Sequence, residues 1–391
     1  MKRILRDERG MALAVAIFAM VVVGALVAGA FFAGTQEQRV GENQRRVQTS
    51  FGVAEAGAQE RVLSWDPSTM NKRPLYCPCA GGDSVPIPSV GADTVAPGGS
   101  GRYFGNSFKV GPNLFLIDVT GRDRASAAGA IAGGGGAQQR IGMITRIAPV
   151  DFGIKASLTT QGLVSMSGNA NINGADQIPT GWTSCDPAGP PQAGVRDNGG
   201  NVTESGNANV LGTPPVVNDP TVNNSTFSSF GGATYAQMAA RATITLPPGN
   251  YTTDAVVTNG VCDRTVLTNW GDGMNPGSLC SNYFPIVHVP GSITLNNVQG
   301  QGILLVDGDL DVQGSYQFFG IVVVQGDLKT SGGGSTDAHF WGGVMAKNAD
   351  LSVQNLSGKA TLNFSSCSIN AVLQATSPIS MMRSRGWVQL Y

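Results

Sequence analysis

Charged side chains make up only 13% of this 391-residue chain, and the formal net charge is -1. That balance excludes a nucleic-acid binder built on a basic patch, and equally a chain held disordered by its own charge. Histidine is nearly missing: His288 and His339 are the whole complement, too far apart for a metal-ligand pattern, and their apolar neighbours read as packing. The glycine runs Gly133 to Gly136 and Gly332 to Gly334 lack the Lys-Ser/Thr of a phosphate loop and read as hinges or turns. No G-x-S-x-G elbow occurs, so a serine hydrolase has no support. The alternating acids Asp307, Asp309 and Asp311 in VDGDLDV invite a calcium reading, but the distal Glu of an EF-hand loop is missing and they read as turn acids facing solvent. No carboxylates sit at a spacing that demands acid and base roles. The sequence therefore calls for no catalytic residue, no metal and no cofactor.

What the chain does have is one long apolar run. Met11 to Ala33, MALAVAIFAMVVVGALVAGAFFA, carries no charge and no proline and follows the basic leader MKRILRDERG. At 1.5 Å per residue, about 20 apolar residues cross a bilayer core, so the run marked by Met11, Val15, Phe18, Val22, Phe31 and Ala33 reads as a membrane helix. Lys2, Arg3, Arg6 and Arg9 put positive charge on the cytoplasmic side and the rest of the chain outside. The rival is a secretory signal peptide cut near Ala28-Gly29-Ala30, although its apolar core normally spans only about 7–15 residues. From Thr35 to Ser64 the chain turns polar while Val40, Val47, Phe51, Ala54, Ala58 and Val62 recur at helical spacing. The membrane helix is thus expected to continue as an amphipathic one, a rod of about 80 Å if unbroken, with Gly34 and Gly41 able to bend or melt it.

Three elements in order carry a family resemblance: Arg9-Gly10 before Met11-Ala12-Leu13-Ala14-Val15, then Glu37-Gln38-Arg39-Val40-Gly41-Glu42-Asn43-Gln44, then Ala54-Glu55-Ala56-Gly57. Over its first 60 or so residues the chain resembles the PilX N-terminal domain of type IV pilus assembly proteins. The resemblance implies a prepilin peptidase cut between Gly10 and Met11 and methylation of the new amino terminus. Major pilins carry Glu at the fifth mature position, where this chain has Val15, as in minor, tip-type subunits. A buried carboxylate is costly unless paired, which suits a subunit with no neighbour ahead of it. The alternative is a plain anchor that is never cut.

Trp65 to Gly101 is rich in Pro, Gly and Ser and reads as a long surface loop. Asn106 to Val119 reads as two strands around Gly-Pro-Asn, and Arg140 to Ile147 as a third, which together match the small antiparallel sheet of pilin architecture. After Pro149 the character is all-β. Ser167-Gly-Asn-Ala-Asn-Ile172 returns as Ser205-Gly-Asn-Ala-Asn-Val210, and Gly291-Ser-Ile-Thr-Leu295, Gly308-Asp-Leu-Asp-Val312, Gly326-Asp-Leu-Lys-Thr330 and Ala349-Asp-Leu-Ser-Val353 echo one another, the first three at steps of 17 and 18 residues. Ile303 to Val306 and Ile321 to Val324 are apolar on both faces and read as buried strands. These signs favour a parallel β-helix, with a β-sandwich as the alternative. Six cysteines allow 15 pairings; Cys262 with Cys280 is favoured because the residues between them read as one loop, while Cys77-Pro-Cys79 is too close-set to suggest a relaxed bridge.

The expected fold class is therefore α+β in four parts: a leader (1–10), a membrane and amphipathic helix (11–64), a loop and small pilin-like sheet (65–150), and a β-solenoid (151–391). The expected function is a structural minor or tip pilin-like subunit of a type IV pilus or related secretion filament, contributing to assembly and to adhesion, and not an enzyme. Its expected partners are the bacterial inner membrane, other pilin-like subunits through the N-terminal helix, and prepilin peptidase, with no nucleic acid and with any surface glycan or protein ligand unspecified. The expected location is single-pass in the inner membrane, then pilus or cell surface. The alternative class is a membrane-anchored β-helix enzyme or adhesin acting on polysaccharide.

Overall fold

A computed structural model of the full chain describes residues 9–77, 83–87, 94–124, 136–183, 185–186, 188–199, 202–331, 337–352, 359–382 and 386–390. Most of the leader, Cys79, Val353 and the runs Gly133 to Gly135 and Gly332 to Gly334 lie outside the described residues. The chain divides into two compact units. The first holds Met1–Ser64, Pro74–Arg146 and Met381–Tyr391; the second holds Trp65–Arg73 and Ile147–Ser380.

The first unit is built on a single helix, Arg9–Leu63, 55 residues long. It passes through Gly34 and Gly41 without a break, because an isolated glycine costs only about 1 kcal/mol against the many good helix formers around it. The second half of the helix lies on an antiparallel sheet ordered Ser84–Ile87, Gly101–Gly111, Leu114–Asp123, Gln138–Ile147, with Trp387–Leu390 pairing the last of these. The three strands foreseen around residues 106 to 147 are present and longer. The foreseen loop from Trp65 to Gly101 contains structure as well: a helical turn at Pro67–Met70 and strands Ser84–Ile87 and Thr94–Val95. Pro86 disguised the first of these strands, and it is tolerated because that strand is the outermost in the order.

The helix face against the sheet shares only Ala54 and Ala58 with the expected stripe. Ser50, Val53, Ala54, Ala58 and Arg61 are buried, whereas Val40, Val47 and Phe51 are exposed. At about 100° per residue the buried face is turned roughly 70° from the apolar stripe. Small residues set the contact: a Cβ on Gly57 would lie 2.5 Å from Tyr103 Cδ2, and one on Gly121 would lie 2.2 Å from the Ser50 carbonyl oxygen and 2.4 Å from the Ala54 nitrogen. Backbone approaches backbone there, so nothing flexible can yield. Gly121→Ala is expected to destabilise this unit by about 2–3 kcal/mol, read as a lower denaturant midpoint at unchanged slope. A neutral result would mean that the helix sits farther from the sheet.

The second unit contains a fourteen-stranded sheet in which every described strand pair is parallel. One column of partners runs Ile244, Val287, Leu304, Val322, Val344, Leu158, Val195, Val216. A second runs Phe318, Phe340, Leu362, Ile172, Val210. Both columns face one core. The sequence repeats stack on themselves: the Gly308 N–H donates to Gly291 O and the Gly326 N–H to Gly308 O, each at 3.0 Å, and Asn171 and Ile172 pair in register with Asn209 and Val210. The order in space differs from the order in sequence, since Ala156–Thr160 lies between Asp337–Ser352 and Ala193–Asp197.

Ile303 to Val306 and Ile321 to Val324 are buried on both faces for two different reasons. Leu304, Val306, Val322 and Val324 point into the enclosed core, while Ile303, Leu305, Ile321 and Val323 lie under a second layer. That layer comes from Phe227, Phe230 and Met238 and from Ile369, Val372 and Ala375 of the helix Ser366–Thr376. Two disulfides are seen among the described residues: Cys185–Cys367, with Cα atoms 5.5 Å apart, joins the start of that helix to the chain before it, and Cys262–Cys280, at 5.0 Å, closes a surface lobe.

The short segment Trp65–Arg73 is held to this unit by polar contacts. Asn71 Nδ2 donates to the Gln374 and Ser377 carbonyls at 2.7 and 2.9 Å, and Lys72 Nζ donates to Asn282 Oδ1 at 2.8 Å while lying over the Phe284 ring. Burial, helped by the Arg264 charge, lowers the Lys72 pKa from 10.5 to about 8. Between those values the unfolded chain holds a proton that the folded chain has lost, so stability rises with pH across that window. Lys72→Met is expected to flatten this rise in thermal melts taken at a series of pH values. An unchanged slope would show that the ammonium is fully solvated.

Candidate functional site: an exposed apolar helix

The first half of the long helix is where sequence and structure most strongly demand a partner. Within Ala12–Leu63 lies a window of mean hydropathy 2.7, none of it buried, in a helix long and apolar enough to cross a membrane. Phe18 and Phe31 are 70% and 74% exposed, and Val15 and Val22 are exposed with them. A Cβ built on Gly24 or Gly29 would meet nothing within 4 Å. Water does not tolerate such a surface: each large side chain left out forfeits about 1.5–3 kcal/mol of burial, and a continuous apolar patch of this size marks a lipid or protein contact. The exposed stripe of Val40, Val47 and Phe51 extends it beyond the membrane-length run. In the same stretch the Glu42–Arg46 ion pair sits one helical turn apart on the polar side.

Gly10 and Met11 lie in the first turns of the helix, which begins at Arg9. Ala33 continues it without a cap, since the hydrogen-bonded helix runs on to Leu63. Sequence reasoning found this half of the helix from hydropathy alone. Of the face that grips the sheet it found Ala54 and Ala58 and missed Ser50, Gly57 and Arg61, which carry no hydrophobic signal.

The polar residues singled out on the β unit are engaged with one another. Asp307 Oδ1 accepts from the Tyr235 hydroxyl at 2.8 Å and lies 3.1 Å from His288 Nε2. Burial first, and the Asp307 carboxylate second, push the Tyr235 hydroxyl well above its ordinary pKa. Asp309 accepts from the Asp327 N–H at 2.9 Å and from Lys329 Nζ at 3.3 Å, and the Asp327 hydrogen bond with the lysine holds its carboxyl below the usual range. Asp311 Oδ2 accepts from Gln313 Nε2 at 2.8 Å. The three acids thus bind three different sets of neighbours, and no group of three or more His, Cys, Asp or Glu among the described residues could hold a metal ion. His339 stands beside Trp341 in a row of rings instead.

No protein-family model matches the chain, and no curated protein matches it. Among solved structures the chain is similar to the crystal structure of the competence-associated pilin ComZ from Thermus thermophilus, at 12% identity and a TM-score of 0.24, over 88% of this chain and 98% of that one.

Proposed function

We propose that this chain is a minor or tip pilin-like subunit of a type IV pilus or related secretion filament, with a structural rather than a catalytic role. The observation that carries the reading is the division of one helix, Arg9–Leu63, into an apolar half with none of its hydrophobic window buried and a half that packs on an antiparallel sheet. Such a helix suits a subunit stored in the inner membrane and later withdrawn into a bundle of like helices. The Arg9-Gly10-Met11 junction supports cutting by a prepilin peptidase, and Val15 supports a position with no subunit ahead to neutralise an acid. The β unit reads as a parallel solenoid; parallel pairing at steps of one coil supports this over a sandwich, whose strands run antiparallel. A domain of that bulk is hard to repeat along a thin filament, which supports a minor or tip place and a surface role such as adhesion.

Mass spectrometry of the mature amino terminus tests the reading. N-methyl-Met11 is the expected result. An intact Met1, or a new terminus near Ala30, rejects the filament subunit in favour of a plain anchor or a secreted protein.

A further inference from the structure

We propose that the β unit binds a neutral, linear polysaccharide on the outward face of the strands around Trp341. Phe340, Leu362 and Ile172 point into the core, so their neighbours in each strand point the other way. His339 and Trp341 thereby fall in register beside Thr361 and Asn363, and these beside Asn171 and Asn173. On the other side Phe319 pairs with Trp341. The result is a track of rings that gives way to a row of amides across four strands, about 14 Å wide at the usual strand spacing.

The rings are aligned. Trp182 lies over Phe319 with centroids 5.7 Å apart and planes at 18°; Phe319 and Trp341 are 6.5 Å apart at 3°; Trp341 and His339 are 6.4 Å apart at 18°. Trp182, His339, Trp341, Asn171 and Asn173 are half-buried, while Phe319 and Asn363 are covered. Two polar atoms of these side chains, Trp341 Nε1 and Asn171 Oδ1, are buried and make no hydrogen bond among the described residues. Leaving such groups unsatisfied is costly, and hydroxyls of a ligand could satisfy both after a small turn of these half-exposed side chains.

The chemistry of the occupant follows from what the face carries. The outward positions His339, Trp341, Thr361, Asn363, Asn171 and Asn173 hold no carboxylate, no lysine and no arginine, and the imidazole of His339 is their one titratable group. A nucleic acid draws most of its affinity from basic residues on phosphate, which disfavours it here. Aromatic rings set among amides and hydroxyls suit the apolar ring faces and equatorial hydroxyls of an extended β-linked sugar chain. This inference does not depend on the filament reading, because the face lies wholly within the β unit.

The test is calorimetric titration of the full chain, held in an amine-oxide detergent that bears no sugar, with cellohexaose, chitohexaose and oligothymidylate. Saturable binding of at least one sugar hexamer is expected, insensitive to salt, and weakened about tenfold or more by Trp341→Ala and by Asn171→Ala. Trp341→Phe should retain most of it, which separates loss of the ring from loss of the fold, and Val261→Ala on an exposed hairpin outside these strands should change nothing. Binding of neither hexamer overturns the proposal, as does full binding by Trp341→Ala. Salt-sensitive binding of oligothymidylate that is lost in Trp341→Ala overturns it in favour of nucleic acid.

Discussion

Phe318→Ala is expected to destabilise the β unit by about 3–5 kcal/mol, the usual cost of emptying a buried aromatic site. Phe318 is 1% exposed, stands in the column with Phe340 and Leu362, and lies close to where a Cβ on Gly300 would be, at 3.2 Å. The residue opposite it on the neighbouring strand is therefore a glycine, and the ring fills space that its partner leaves empty. Tyr316 and Trp270, both fully buried, enclose the same end of the core, and a Cβ on Gly300 would meet each of them closer than 3 Å. Rings that rigid cannot collapse into the vacated volume, which places the loss toward the upper part of the range. Denaturant unfolding followed by far-ultraviolet circular dichroism reads the effect. The neighbouring Phe319 supplies the contrast, since it faces outward under Trp182, and Phe319→Leu should cost less. A loss under 1 kcal/mol for Phe318→Ala would mean that the column does not form one continuous core.

The β unit was legible in sequence to the extent that its repeats stack on themselves. The glycine-led steps of 17 and 18 residues match the turn-to-turn hydrogen bonds of Gly291, Gly308 and Gly326, because a repeat whose length is one coil must bring equivalent residues together. Hydropathy could not show which coil neighbours which. The coil containing Ala156–Thr160 is wedged against Asp337–Ser352, the last long strand, and a parallel pair leaves no local mark of its sequence separation. The entry and exit of the unit meet for the same reason: the Ala148 N–H donates to the Pro378 carbonyl at 3.0 Å, and the chain beyond returns Trp387–Leu390 to the strand Gln138–Ile147 of the first unit. The second unit runs from Ile147 to Ser380 apart from its short early segment, and nothing in the sequence of Met381 to Tyr391 announced a return.

The same contrast runs through the long helix. Its apolar half was visible because lipid-length runs are read from composition, one residue at a time. Its gripping face was visible only at Ala54 and Ala58, because close helix–sheet contact selects smallness and a residue such as Gly57 leaves no apolar mark. The Tyr235, His288 and Asp307 contact was equally hidden, joining residues 72 and 19 positions apart with no shared motif.

Val22→Arg is expected to release the chain from the membrane or to block its insertion. Val22 is the midpoint of the Met11 to Ala33 run, and a guanidinium at the centre of a spanning helix costs about 2.5–3.5 kcal/mol on insertion scales, and more on an isolated helix. The described first unit offers that charge no rescue, since Val22 is exposed and the hydrophobic window around it is wholly unburied. An arginine nearer either end could reach the headgroups, but from the midpoint the interface is about 15 Å away on each side, beyond easy reach of the side chain. Val40→Arg is the control: Val40 is also exposed on the same helix yet lies past the apolar run, so membrane retention should be unchanged. Carbonate extraction of membranes, followed by immunoblotting of pellet and supernatant, distinguishes the two. Retention of both variants would show that the run is not what holds the chain at the bilayer. Release of both would place the lipid boundary beyond Val40 and lengthen the embedded helix by at least two turns.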